Sequence, residues 1–331
     1  MTSYVVRRLV MAVVTVAAIS MLTFLIIQLP EGDFVDSYVR ELESFGANVS
    51  LQEADHLREI WGLNRPLPVQ YVKWITQLLQ GNLGTSYSMQ HHRPVREIIA
   101  DRLVMTVVLA GCSLVFTWIV ALPIGIYSAV RQRTLGDYTA TVVGYVGLAT
   151  PDFLLALAVM YWVFLLFDTN LGGLFSDHYL DAPWSLGRLW DLLKHLPVPT
   201  AIVGLTGTAG LIRIMRANLI DELRKPYVVT ARSKGMTEAR LIAKYPVRLA
   251  LNPFASTVGY ILPQLVSGSI FVALVMSLPT LAPVLYQALL RQDMLLAGNI
   301  LLMVSILTVI GTFLSDMVLL WIDPRIRVGA R

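Results

Sequence analysis

Charge is what this sequence has least of. Only 15% of its 331 residues are Asp, Glu, Lys or Arg, against 56% apolar residues. Soluble domains are nearer a quarter charged, so a water-facing fold would lack the residues to cover its surface. Cysteine is almost absent: Cys112 is the single one and falls inside an apolar run. A disulfide framework and a thiolate metal cluster are thereby excluded. Ten-residue segments of alternating hydrophobicity are missing, which excludes a transmembrane β-barrel. The chain has no G-x-x-x-x-G-K-[ST] phosphate loop, no H-E-x-x-H and no G-x-S-x-G. Nothing therefore points to nucleotide hydrolysis, zinc chemistry or a serine nucleophile. Basic residues sit in short loops between apolar runs, so nucleic-acid binding has no support.

What is present is a set of apolar runs long enough to cross a bilayer. The expected fold class is all-α, a polytopic membrane protein with six transmembrane helices. Arg7 and Arg8 precede the first run, Leu9–Leu29. Basic residues also precede a cleaved signal peptide, but this run is longer than a signal core and no small-x-small site follows it. Residues 1–30 therefore read as an N-terminal tail and a retained first span, 31–101 as an extracytoplasmic segment, and 102–331 as a core with five further spans.

The outer segment carries ten acids against six bases. Leu51–Trp61 has the pattern of a short amphipathic helix, with Ser50 and Glu53 as a capping box and Gly62 as its stop. The prolines of Asn64-Arg65-Pro66-Leu67-Pro68 impose extended or turn backbone, and a second short helix is expected over Gln70–Gln80. Asn48-Val49-Ser50 matches a glycosylation sequon by pattern only. His91 and His92 are adjacent and cannot share a helix face, so they read as a solvated loop pair rather than metal ligands.

The second run is Leu103–Val130, with Pro123 and Gly125 near its end and Arg131 and Arg133 after it. The third, Tyr138–Phe167, would make about 45 Å of helix, too long for one straight crossing. Pro151 divides it and Asp152 follows. A carboxylate at membrane depth marks a functional candidate, yet Asp is also a favoured N-cap. Asp152 thus either caps the restarting helix or contacts substrate. The fourth span, Pro197–Met215, is rich in small residues that allow close helix approach, which places it inside the bundle. The fifth, Pro253–Met276, contains Pro263. A break at Ser277-Leu278-Pro279 leads to the sixth, Leu295–Trp321. Sixteen Lys and Arg residues fall on the side of the N-terminus and ten, more thinly spread, on the other. By that asymmetry both termini and the loop 217–252 face the cytoplasm.

Asp221–Pro253 is the most basic stretch. Pro226 fits the first turn of a helix running to Lys234, with Gly235 as its stop. Thr237 can cap a second helix, Glu238 complements its positive end, and Pro246 terminates it. Leu241, Ile242 and Tyr245 share a face of that helix, which predicts an apolar knob ringed by Arg240, Lys244 and Arg248. Such a helix fits a groove on a soluble partner; lying on anionic lipid headgroups fits the same pattern.

The segment Tyr227-Val228-Val229-Thr230-Ala231-Arg232-Ser233-Lys234-Gly235 through Asn252-Pro253 resembles the cytoplasmic loop of permease subunits of dipeptide and oligopeptide ATP-binding-cassette importers. Ile60-Trp61-Gly62-Leu63-Asn64-Arg65-Pro66-Leu67-Pro68 with Gly81-Asn82-Leu83-Gly84-Thr85-Ser86, Pro151-Asp152-Phe153, and Asp316 with Asp323-Pro324-Arg325-Ile326-Arg327 are similar to the same family in the same order. The resemblance implies a type I importer permease fold. It implies that Ala231 and Gly235 hold the turn before a coupling helix, about Thr237 to Tyr245, that inserts into an ATPase. Arg232, Lys234, Glu238, Arg240, Leu241 and Ile242 belong to that loop. It also implies a second, similar permease subunit, two ATPase subunits that bind ATP and Mg, and an extracytoplasmic binding protein, with no cofactor on this chain. Pro151, Asp152, Pro263 and Pro279 are the candidates for the translocation path. The chain departs from the family at Ala273 and at Thr280-Leu281-Ala282, where an acid and Gly-Leu-Gly are usual. The competing class, an ion-coupled secondary transporter, would want several intramembrane acids in repeated halves, and only Asp152 and Asp316 approach that.

Overall fold

The computed structural model of the chain describes residues 2–29, 35–36, 39, 43, 50–86, 93–169, 171–180, 182–264, 270–291 and 293–322. The sequon asparagine, His91, His92 and the Asp323–Arg327 ending lie outside them. Among the described residues the regular elements are helices: α1 Thr2–Ile27, α2 Leu51–Trp61, α3 Leu67–Leu79, α4 Val95–Val130, α5 Leu135–Ala149, α6 Asp152–Phe167, α7 Leu186–His195, α8 Pro197–Leu223, α9 Pro226–Ser233, α10 Glu238–Lys244, α11 Pro246–Ala250, α12 Asn252–Pro263, α13 Ile270–Val275, α14 Leu281–Leu290 and α15 Met294–Ile322.

Among the described residues three helices are long and apolar enough to cross a membrane: Val6–Ile27, Val95–Val130 and Leu295–Leu319. Two bent pairs pass the same test, Leu135–Ala149 with Asp152–Phe167 at 101° and Leu186–Leu205 with Gly207–Leu223 at 52°. The first bend is the break expected at Pro151. The fifth predicted span is present as two shorter helices, α12 and α13, with residues 265–269 between them outside the description. Large apolar side chains point outward, as a lipid-facing surface requires: Val13 on α1 is 69% exposed and Phe167 on α6 is 69% exposed.

The chain forms two compact units. One comprises residues 1–105 and 280–309. Its α2 has the predicted box: the Glu53 N–H donates to Ser50 Oγ at 3.2 Å, and the Ser50 N–H donates to Glu53 Oε2 at 2.9 Å. Gly62 ends the helix at φ 73°. The two hydrogen bonds from Ser50 hold the Glu53 carboxyl below its ordinary range. Helix α3 lies on α1 through Tyr71, whose hydroxyl shares a 2.7 Å hydrogen bond with Ser20, and through Phe24, which meets the Tyr71 and Trp74 rings. Trp74 Nε1 donates to Asn299 Oδ1 on α15 (3.1 Å), and Asn299 Nδ2 donates to the Leu83 carbonyl (2.8 Å). Ser86 Oγ donates to buried Asp293 at 2.6 Å. These polar ties satisfy groups that the apolar surroundings would otherwise strand.

The other unit comprises residues 106–279 and 310–331. Its core joins α4 (Ala121, Ala129), α8 (Leu211, Ile212, Met215, Leu219), α11 (Ala250) and α12 (Phe254). Glycines let α4 and α8 approach closely. A Cβ on Gly204 would stand 2.8 Å from the Phe116 ring, and one on Gly125 would stand 2.7 Å from Met215 Cβ. The interior placement expected from the small residues of this span holds. Helix α8, however, continues to Leu223, eight residues past the predicted Met215 and into the stretch read as loop. No breaker interrupts it until Pro226, which forces Lys225 into extended backbone at φ −74°, ψ 148°.

Candidate functional site

The basic stretch folds as three short helices following α8. Pro226 occupies the first turn of α9 as expected, where its missing N–H costs nothing. The end of α9 is a Schellman turn: the Met236 N–H donates to the Ala231 carbonyl (3.4 Å) and the Gly235 N–H to the Arg232 carbonyl (3.0 Å). Gly235 has φ 75°, and a Cβ there would have nothing within 4 Å. Backbone conformation alone, not space, asks for glycine at this position. Lys234 is the residue before it and is exposed.

The turn folds α10 back on α9. Val228 and Leu241 are both fully buried, Ala231 is nearly so, and Tyr227, Met236 and Ile242 pack around them. The predicted apolar knob is therefore corrected. Leu241 points inward, because a seven-residue helix beside an eight-residue one has no other way to bury its largest aliphatic side chain. Ile242 is half-buried and Tyr245 sits at the rim, its ring 6.4 Å from that of Tyr227. The face that α10 presents outward is Ala239, Arg240, Ala243 and Lys244, all exposed. Two alanines allow close approach, and two cations flank them.

Thr237 stands at the N-cap position of α10, but its side chain makes no capping hydrogen bond. Glu238 turns instead to Arg232 on α9, accepting from Nε at 2.5 Å and from Nη2 at 3.1 Å. That pair closes the turn from outside. The Arg232 hydrogen bonds hold the Glu238 carboxyl below its ordinary range, and the same partner raises Arg232. Pro246 ends the pattern as predicted, since α10 stops at Lys244 with Tyr245 as its C-cap. The same proline starts α11, a further turn whose Ala250 enters the unit's core. Tyr227 Oη and Lys225 Nζ both donate to Glu222, at 2.5 and 2.6 Å, tying α9 to the end of α8.

The path candidates are more dispersed. Pro151 occupies the N-cap of α6, so Asp152 is the first residue of the helix and not its cap. Pro263 closes α12, and Pro279 lies half-buried between α13 and α14. Phe153 and Phe271, 6.1 Å apart, join α6 to α13. Gly173 N–H donates to the Met276 carbonyl at 2.6 Å, beside Ser277 at φ 51°. Ala273, Thr280, Leu281 and Ala282, the departures from the family pattern, are all buried, so a carboxylate at 273 would need a buried partner.

Sequence reasoning missed Asp137 and Arg216. The third span, expected from Tyr138, starts three residues earlier at Leu135 and so takes in Asp137, and Arg216 enters the sequence reading only as one of the sixteen charges on the N-terminal side. Asp137 is 2% exposed and accepts from Arg216 Nε and Nη2 at 2.8 and 2.9 Å. A carboxylate three residues after Thr134 at the start of an apolar run was the available signal.

Residues 121–328 match the family described as binding-protein-dependent transport system inner membrane component, and residues 1–110 match its N-terminal region. The chain belongs to this family. A putative peptide permease protein of Brucella ovis is 32% identical over 99% of this chain and 100% of its own length. The oligopeptide transport system permease protein AppB of Bacillus subtilis is 29% identical over 98% of this chain and 99% of its own. The dipeptide transport system permease protein DppB of Escherichia coli is 28% identical over 99% of each. The permease reading accounts for the apolar helices, and the family fold is that of a polytopic membrane permease.

Proposed function

We propose that the chain is the permease subunit of an ATP-driven importer that takes peptides from an extracytoplasmic binding protein across the cytoplasmic membrane. It pairs with a second, similar permease, and two ATPase subunits supply ATP and Mg chemistry that this chain has no phosphate loop to perform. The termini and the α9–α11 element face the cytoplasm by the lysine and arginine asymmetry. Peptide cargo is supported by what the relatives are named for.

The observation that carries the coupling role is the α9–α10 pair itself. It closes its own small core and leaves Ala239, Arg240, Ala243 and Lys244 outward, a surface left exposed among the described residues. A short helix with that face suits a groove in a soluble ATPase. ATP-driven closure of the ATPases would displace α10, and with it α8, swinging the bundle between inward- and outward-facing states. Pro151, Asp152, Pro263 and Pro279 remain the proposed path residues, at the α5–α6 bend and at the ends of α12 and α13. Deleting residues 237–245 should abolish co-purification of the partner ATPases. Normal ATPase binding by that deletion would refute the coupling assignment.

A further inference from the structure

The carboxylate of Asp137 holds three chain segments at one point. Ser128, in the last turns of α4, donates its hydroxyl to Oδ1. The N–H of Arg133, in the turn after α4, donates to Oδ2 at 2.9 Å, and Arg133 has left-handed backbone at φ 62°. Arg216 of α8 closes the site as a fork, Nε on Oδ1 at 2.8 Å and Nη2 on Oδ2 at 2.9 Å. A bidentate guanidinium fixes orientation as well as distance. A buried carboxylate left without its partner is costly, so the pair stays together or the site rearranges. The helices also approach closely beside the site, where a Cβ on Gly125 of α4 would stand 2.7 Å from Met215 Cβ, next to Arg216.

Arg216 stands two turns before the end of α8, from which α9–α11 continue, and α11 returns Ala250 to the core beside Met215 and Leu219. We propose that Asp137 is a positioning residue that makes the α4–α5 hairpin travel with α8 when the coupling element is displaced. The clasp turns movement of one helix into rigid-body movement of three. This rests on the ATPase-coupling role of α9–α11.

The test is pulsed electron spin resonance on the assembled complex in lipid. Labels go on Leu135→Cys, at the exposed start of α5, and Asp221→Cys, on the exposed side of α8, with Cys112→Ser removing the native thiol. With Asp137 present, the nucleotide-free and ATP–vanadate-trapped states should give one narrow distance, unchanged within about 2 Å, the scale of ordinary helix shifts. In Asp137→Asn the distance should broaden, or shift on trapping by about 5 Å, one helical turn. Arg216→Lys keeps the charge but loses the fork, and should fall between. A large shift on trapping with the clasp intact would overturn the proposal, as would identical distributions in all three proteins. ATPase retention is measured on the same samples and on a deletion of residues 237–245. Normal retention by the deletion would overturn the coupling role, whereas its loss there together with any of the contrary distances refutes the clasp alone.

Discussion

Leu241→Ala probes whether the α9–α10 pair is a folded unit with its own core. Leu241 is fully buried and its walls are few: Val228 and Ala231 from α9, with Tyr227, Met236 and Ile242 at the margin. The transfer term alone for a fully buried leucine is about 1.5–3 kcal/mol. A rigid core adds a cavity penalty that takes Leu→Ala to about 2–5 kcal/mol. Here three of the five neighbours are only partly buried and can relax into the space, which places the change at the low end, about 2 kcal/mol. A pair this short with a small core of its own is expected to open locally, so the loss should appear in local opening and not in global unfolding. Hydrogen exchange in nanodiscs reads it directly: the hydrogen-bonded amides of residues 241–245 should lose about thirtyfold in protection, since 1.4 kcal/mol is a factor of ten. Amides of α4 and α8 should be unchanged. Unchanged protection over 241–245 would refute the inward placement of Leu241 and restore the outward apolar knob.

Gly235→Ala should strain the Schellman turn by about 1–2 kcal/mol, the cost of left-handed backbone for an L-residue; since no atom opposes the new methyl group, exchange at the α9 C-terminus should rise without loss of the fold. Acid should loosen the same turn. Glu238 has a folded-state pKa below its unfolded one, so its contribution is complete above the ordinary glutamate range and disappears as pH falls through the depressed folded value. Protection of residues 234–238 should hold down to that range and decline below it, and Arg232→Ala should remove the pH step. In the outer unit, Ser50→Ala should destabilise α2 by about 1 kcal/mol through loss of the cap, seen as faster exchange at residues 52–54.

The elements legible in the sequence are those whose cause is local. Ser50, Glu53 and Gly62 set both ends of α2 within a dozen residues, and Pro226 and Gly235 do the same for α9. Pro151 announced the α5–α6 bend because a proline in an overlong apolar run has one consequence. What escaped is non-local. Asp137 and Arg216 are 79 positions apart and Trp74 and Asn299 are 225 apart, so no spacing rule connects them. The direction of Leu241 escaped for a related reason. Helical periodicity places it on a face with Tyr245, but which way that face turns depends on Val228 in the preceding helix. Helix α8 outruns its apolar stretch because Arg216 stays helical with its charge satisfied by Asp137, a partner that local polarity does not reveal.

The proposed coupling requires the outward face of α10 to seat in an ATPase. Site-specific photo-cross-linking from position 243, an exposed alanine at the middle of that face, tests it in the native complex. A photoreactive residue replacing Ala243 should form an adduct with the proposed ATPase partner, while one replacing buried Leu241 should label only this chain. Adducts confined to lipid from position 243, in a complex that still holds its ATPases, would contradict the account.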